Sequence, residues 1–420
     1  MFTKDNMSKA VKAVLVLLPF ICASYANAAG FALYEFSARG NAMGGSVIAN
    51  KAEPASLATN PALITQLEGT QVQVGATYVS ATSKTTVNGD KRELESDFFV
   101  LPNFYATYQA HEHIYLGLAG FSRFGLGGKY KDYKSWGAAA DAYTVGVESF
   151  SFTPVIAVKA TPEISVSMGL EAMILSFQEE KYGYVAPGTN TKISGSNVAW
   201  GGGFGLHYKP EWAEKWGFGA SYRTKMRQVI NGRVKTTAGN NIINAASYNA
   251  QGNVTLPDMI MTGVSFQPDN KWVFEAGMTY TFWSSYDAIR ITNTQTTAPS
   301  TGTSVDTKNY KDTPRFNIGA EYMINQNWAV RGGYVYDISP INTKHMDTLV
   351  PVDDRHIFNI GAGYENDKWG VDASYSYLMA KDLTGYNVEL GKSLKYEDAS
   401  SHLIGLTFKY KFDSPMAHKH

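Results

Sequence analysis

From residue 69 onward the chain alternates. Phe316, Ile318, Ala320 and Tyr322 fall on one face of an extended strand, with Asn317, Gly319 and Glu321 on the other. The same period of two recurs at Phe358, Ile360, Ala362 and Tyr364. It recurs again at Trp369, Val371, Ala373, Tyr375 and Tyr377, set against Gly370, Asp372, Ser374 and Ser376. A wholly apolar face opposite a small or polar one marks a strand that meets something apolar on one side only. Fourteen such segments can be laid out, at roughly 69–84, 97–110, 113–125, 144–160, 163–182, 194–209, 215–234, 251–268, 271–292, 312–324, 327–339, 354–365, 368–382 and 399–412.

The connections decide what the apolar face meets. Every second one is tight: His111-Glu112, Thr161-Pro162, Pro268-Asp269-Asn270, Asn325-Gln326 and Asn366-Asp367. The others, near 126–143, 235–250, 293–311, 340–353 and 383–398, are long and polar. Short turns at one end and long loops at the other are the arrangement of an outer-membrane barrel, with the short end periplasmic. Trp216, Trp272, Trp328 and Trp369 each follow a short turn and face outward on the alternation, as a periplasmic aromatic girdle requires. Ordinary strand tryptophans in a soluble β protein are the alternative. The pattern therefore predicts an all-β protein, a 14-stranded antiparallel transmembrane β-barrel over residues 69–412.

Fourteen strands enclose a lumen wider than side chains alone can fill, and an empty one would leak. Residues 29–68 are the candidate plug. They are rich in Gly, Ala, Ser and Asn and have no sustained period, which is unusual for a stretch this long unless it is functional. Before them, Lys4, Lys9 and Lys12, an apolar run from Ala13 to Ala23 and Ala26-Asn27-Ala28 read as a secretory signal peptide over 1–28. That run is too short, and too interrupted by Pro19, to span a bilayer as a helix. Residues 413–420 form a short C-terminal extension.

Export changes the composition in two ways. The one cysteine, Cys22, goes with the leader, so the mature chain has no thiol and no disulfide. Of 37 basic and 37 acidic residues, removing Lys4, Lys9, Lys12 and Asp5 leaves 34 and 36, without the basic excess of a nucleic-acid binder.

Two parts of the plug carry a family resemblance: Gly30-Phe31 followed by Glu35-Phe36-Ser37, and Asn60-Pro61-Ala62-Leu63. Both resemble the N-terminal hatch of the FadL-type outer-membrane transporters of long-chain fatty acids and other hydrophobic compounds. The last strand, with His402, Ile404, Leu406, Phe408, Tyr410 and Phe412 on its outer face, resembles the aromatic C-terminal signal of assembled outer-membrane barrels, with Asp413 to His420 as a departure. The resemblance implies hatch roles for Gly30, Phe31, Glu35, Phe36, Asn60, Pro61 and Ala62, passive transport, and no cofactor. It also implies a kinked third strand that opens a lateral gap into the membrane. Here that strand is dense in glycine, and its neighbours carry prolines. Glycine marks a bulge or kink and proline removes a ladder donor. Gly117, Gly120, Gly125, Pro102 and Pro154 are thus the candidate lateral opening, proline tolerated at strand ends being the alternative.

The inward face can be read near both ends. Glu275, Arg331 and Asp372, joined by Glu321, Lys409 and Lys411, should meet near the periplasmic end and pair, since unpaired charges in a confined lumen are costly. Such a belt either stiffens the floor or holds the hatch. On the seventh strand Gly217, Gly219 and Ser221 lead into Arg223, Lys225 and Arg227, all placed inward by the alternation. These three cations are the candidate site for a ligand carboxylate, Arg most effectively through a bidentate pair. Neutralising lumen acids such as Glu171 is the other reading. The loop Lys129 to Tyr143 mixes lysines with aromatics and would suit an anionic amphiphile or lipopolysaccharide.

No G-x-S-x-G, H-E-x-x-H or phosphate loop is present, and His111-Glu112-His113 sits in a turn, so neither an enzyme nor a metal site is expected. The expectation is a monomeric outer-membrane transporter of long-chain fatty acids or similar hydrophobic molecules. An uptake channel for aromatic or aliphatic hydrocarbons is the close rival, and a general diffusion porin the distant one.

Overall fold

The computed structural model describes residues 31–412, apart from 96, 136–141, 244–245, 295–301, 349 and 351–352. The leader, Gly30 and residues 413–420 lie outside the described residues. Collinear segments group into fourteen strands. They are β1 (Thr70–Val87), β2 (Asp97–His111), β3 (Ile114–Phe121 and Gly125–Lys129), β4 (Ala142–Lys159), β5 (Ile164–Tyr182), β6 (Thr189–Tyr208) and β7 (Trp216–Arg223 and Met226–Ala238). After these come β8 (Tyr248–Leu256 and Met259–Phe266), β9 (Trp272–Thr281 and Ala288–Asn293), β10 (Thr303–Thr307 and Thr313–Met323), β11 (Trp328–Asp337), β12 (Arg355–Glu365), β13 (Trp369–Ala380) and β14 (Lys392–Phe412).

Every neighbouring pair is antiparallel. β14 returns to β1, from Thr70 opposite Phe412 to Val87 opposite Leu394, and closes the barrel. The outward positions are those the alternation requires: Ile318, Ile360, Ile404 and Leu406 are more than half exposed on the wall, while Glu321, Asp372 and Lys409 are buried inside. Trp216, Trp272, Trp328 and Trp369 are all exposed and each opens its strand, so the girdle is present. β6 and β14 begin earlier than the sequence pattern suggests, because their outer ends are polar and pair above the apolar band.

Residues 31–68 fill the lumen. Two short helices, α1 (Ala38–Ala42) and α2 (Ser56–Thr59), and a 3-10 turn (Pro61–Gln66) carry most of the order. Ser37 caps α1 by accepting from Gly40 N at 2.9 Å and donates to Glu53 at 2.6 Å. The chain then reverses at Gly44 and Gly45, both at positive φ, where a side chain would be strained. The wall makes room for this backbone with its own glycines: a Cβ at Gly219 would collide with the Ile48 carbonyl, and one at Gly333 with Met43.

Candidate functional site: hatch, chamber and wall opening

The hatch is tied to the barrel floor by charge and backbone hydrogen bonds. Glu275 on β9 accepts from Ile48 N (2.6 Å), Ala49 N (3.1 Å) and Asn50 Nδ2 (2.6 Å). Arg39 of α1 donates to Glu321 at 2.9 Å, which also accepts from Arg331 at 2.6 Å. Arg331 continues to Asp372 at 2.7 Å, and Lys409 bridges Asp372 and Glu365. The belt therefore does both things considered for it: it links five wall strands, β10 to β14, and holds the hatch. Arg39 and Glu365 are the members the sequence reading missed; Arg39 lies in the aperiodic stretch, which gave no face to assign.

Asn60 and Pro61 form the second anchor. The Asn60 side chain caps the 3-10 turn by accepting from Ala62 N at 3.3 Å. Its amide donates to Ile48 O (2.8 Å) within the hatch and to Leu206 O (2.9 Å) on β6. Pro61 starts the turn, where its missing N–H costs nothing. Ala62 is fully buried against this junction. Glu35 accepts from Tyr34 N at 2.9 Å, and Phe36 packs edge-on to Phe121 while its carbonyl accepts from Tyr105 Oη at 2.8 Å.

Beside the hatch lies an apolar chamber that opens to solvent. Phe31, Leu126, Val147, Leu175, Ile230 and Tyr286 line it. Phe31 stands at its edge in a nest of rings, 5.7 Å from Phe124, 5.1 Å from Trp283 and 5.0 Å from Tyr286. Trp283 continues the inward alternation of β9, and Tyr286 joins it in the lumen because β9, expected as one strand, breaks into a 3-10 turn at Trp283–Ser285. The connection between β11 and β12 covers the outer mouth, burying Ile341, Met346 and Val350. Lys308 holds that cover by pairing with Asp306 at 2.8 Å and with Asp347. Burial pulls its ammonium down, but the two carboxylates outweigh burial and hold it well above the usual lysine range.

The wall is open at β3. Between Phe121 and Gly125 three residues of β3 stand against two of β4, a bulge that bends the strand away from β2. β2 pairs with β3 only from His111 to Phe104, which faces Gly120. Above that, 97–103 pairs with β1 alone. Among the described residues the two edges meet again at the Leu94–Tyr130 bridge, at Glu95 N to Lys129 O (2.6 Å) and at Lys131 N to Glu93 O (2.9 Å). The hatch takes up the freed inner edge, with Leu33 N donating to Arg123 O at 2.7 Å and Gly125 N to Phe31 O at 2.8 Å. Phe99 and Leu101 on the unpaired stretch face inward and share an apolar cluster with Leu33. Apolar side chains, Leu33 among them, thus back the interrupted wall from the inside.

The family model described as outer membrane protein transport protein (OMPP1/FadL/TodX) matches residues 20–412. The chain belongs to this family. A long-chain fatty acid transport protein of Escherichia coli O6:H1 is 24% identical over 98% of this chain and 99% of its own length. Outer membrane protein P1 of Haemophilus influenzae is 24% identical over 97% and 100%. Among solved structures, a Pseudomonas aeruginosa FadL homologue superposes with a TM-score of 0.80, at 17% identity over 92% of this chain and 100% of that one. The P. putida toluene transporter TodX gives 0.72, at 17% identity over the same shares. The protein is accordingly an outer-membrane β-barrel of a family of transport proteins, not of enzymes.

Several expected site residues of this FadL-family chain stand elsewhere than the alternation put them. Arg223 points inward, but Lys225 and Arg227 are exposed on the outer wall. The break at Thr224–Lys225 adds one residue relative to β6, and an odd insertion turns every following side chain to the other face. Met226, Gln228 and Ile230 take the lumen positions instead. Arg223 itself is engaged with Glu171 at 3.2 Å and with the hatch carbonyls of Leu57 and Ala58 at 2.9 and 3.0 Å. Of the five residues assigned to the opening, Gly120, Gly125 and Pro102 border it. Gly117 lies in the paired part of β3, where its lack of a side chain admits Leu57 of the hatch. Pro154 interrupts the ladder from β4 to β5, the side away from the gap. The loop 129–143 falls partly outside the described residues.

Proposed function

We propose that the protein is a passive transporter of long-chain fatty acids or similar hydrophobic molecules across the outer membrane. Substrate enters under the loop cover, rests in the apolar chamber, and leaves sideways through the wall between β2 and β3. The single observation that carries this reading is the presence, in one lumen, of an apolar chamber and an interrupted wall above a floor closed by buried ion pairs. A charged or hydrated solute gains nothing in such a chamber, whereas burying apolar surface contributes about 25 cal/mol per Å2. The hydrocarbon reading uses the same path and differs only in what the substrate's head requires.

The test is to seal the wall. Deleting Ser122 brings the β3 bulge back to two residues against two, and Arg123→Ser in the same variant keeps a charge from turning to the lipid. Uptake of radiolabelled oleate and of toluene, at equal surface expression, is expected to fall at least tenfold. Unchanged uptake of both would overturn the lateral route.

A further inference from the structure

Beyond its break, β7 turns four cations outward and gives none of them an anion. Lys225, Arg227, Arg233 and Lys235 are all exposed on the outer wall, while Met226, Gln228 and Val234 between them are buried. Among the described residues none of the four has an ion pair or a side-chain hydrogen bond. Other exposed cations at the loop end do have a carboxylate. Lys84 pairs with Asp398 at 2.9 Å, Lys129 with Glu95 at 2.9 Å, Lys381 with Asp354 at 3.2 Å and Lys395 with Glu397 at 2.7 Å. Beside β7 the neighbours are polar but uncharged: Arg227 stands opposite Thr255, and Arg233 opposite Asn249 and Ser194. Lys235 stands opposite a further cation, Lys192, whose own partner is Glu180 at 3.5 Å. Asp258, at the break in β8, accepts from Tyr222 Oη at 3.0 Å and pairs with neither Lys225 nor Arg227.

Height along the strand says what these cations meet. Trp216 opens β7 at the periplasmic girdle. At about 3.3 Å per residue and a tilt near 45°, Lys225 and Arg227 lie roughly 21 and 26 Å above it, where an apolar band about 25 Å tall ends. Trp200 of β6 agrees: it is 64% exposed and lies between the residues facing Arg223 and Asn231, at the level where an interfacial tryptophan belongs. Arg233 and Lys235 stand roughly 14 and 19 Å higher again. Cations at such levels are attracted to anionic head groups. We infer that the outer face of β7 is a docking site for lipopolysaccharide, the phosphorylated glycolipid of the leaflet on the loop side. Lys225 and Arg227 hold its lipid A phosphates, and Arg233 and Lys235 reach the acidic sugars above them. A phospholipid fits less well, because its single phosphate occupies one level of a strand whose cations occupy two. The site lies on the outside of the wall and is independent of what the lumen carries.

Equilibrium binding to the detergent-purified full chain tests this, with a chelator present so that no metal bridges the phosphates. The probes are a deep-rough lipopolysaccharide, the same molecule with its phosphates removed, and phosphatidylglycerol. Replacing Lys225→Gln and Arg227→Gln together should weaken the intact glycolipid roughly ten- to thirtyfold and leave the dephosphorylated one unchanged. Lys381→Gln, which removes an exposed cation that already has a carboxylate, should change neither. Binding unaffected by the double variant, or weakened as much by Lys381→Gln, would overturn the proposal. A second arm needs no variant: the native chain should bind the intact glycolipid at least tenfold more tightly than either other probe. Equal affinity for phosphatidylglycerol would mean that any anionic lipid suffices, and equal affinity for the dephosphorylated form that the cations do not read phosphate; either would overturn the assignment.

Discussion

Asn60 shows how much one short polar side chain can do. It closes a 3-10 turn, holds the Ile48 carbonyl elsewhere in the hatch, and grips β6. The two contacts within the hatch are buried and the one to β6 partly so, and a buried acceptor left unpaired costs about 1–3 kcal/mol. Replacing Asn60 and Pro61 together by Ala should therefore disorder the hatch-to-wall junction while the ladders that assemble the barrel stay intact. Oleate uptake at equal surface expression is expected to drop at least fivefold; uptake at the native rate would remove Asn60 and Pro61 from any role in the hatch. The pair was legible because Asn-Pro is local chemistry. Arg123 was not: its partner Glu171 is 48 positions away, and only the closed barrel sets them 3.0 Å apart.

At the scale of elements, the departures from regularity are what make the site. The bulge in β3 opens the wall, the bulge in β7 turns Lys225 and Arg227 outward, and the break in β9 brings Tyr286 inward beside Trp283. A period-two reading carries a strand straight through a one-residue bulge and assigns the wrong face beyond it. The ionic floor has its own test. Glu321→Gln leaves Arg39 and Arg331 short of their shared anion, and breaking a buried pair in this way costs about 3–5 kcal/mol. Backbone amides of residues 38–50 should then exchange at least tenfold faster in the folded barrel, and native protection would show that the belt does not hold the hatch. The loop cover is held likewise. Lys308→Met removes the cation between Asp306 and Asp347, so amides around Ile341–Thr348 should lose protection while those of β11 keep theirs.

For the whole molecule, the barrel and its plug are one design: a wall that must be apolar outside, a lumen too wide to pack, and an aperiodic segment that fills it. Current through single molecules in a planar bilayer reads that arrangement directly. The native chain should conduct little, and deletion of residues 31–68 should raise conductance severalfold. Large steady currents from the native protein would mean an open porin.

Strand number, the alternation of short turns and long loops, the aromatic girdle and the presence of an N-terminal plug were all determined by the sequence, because each depends on a local repeat or on neighbours along the chain. Hatch docking belonged to both: the glycines and the Asn60-Pro61 step are visible in the sequence, while the carbonyls they receive are not. Only the tertiary structure decided where the wall opens, which face of β7 meets the lumen beyond Arg223, and which cations are left without an anion. Those outcomes turn on single inserted residues and on side chains brought together across the barrel. A one-residue change in register costs little locally yet reverses a whole strand face, so no local pattern can announce it.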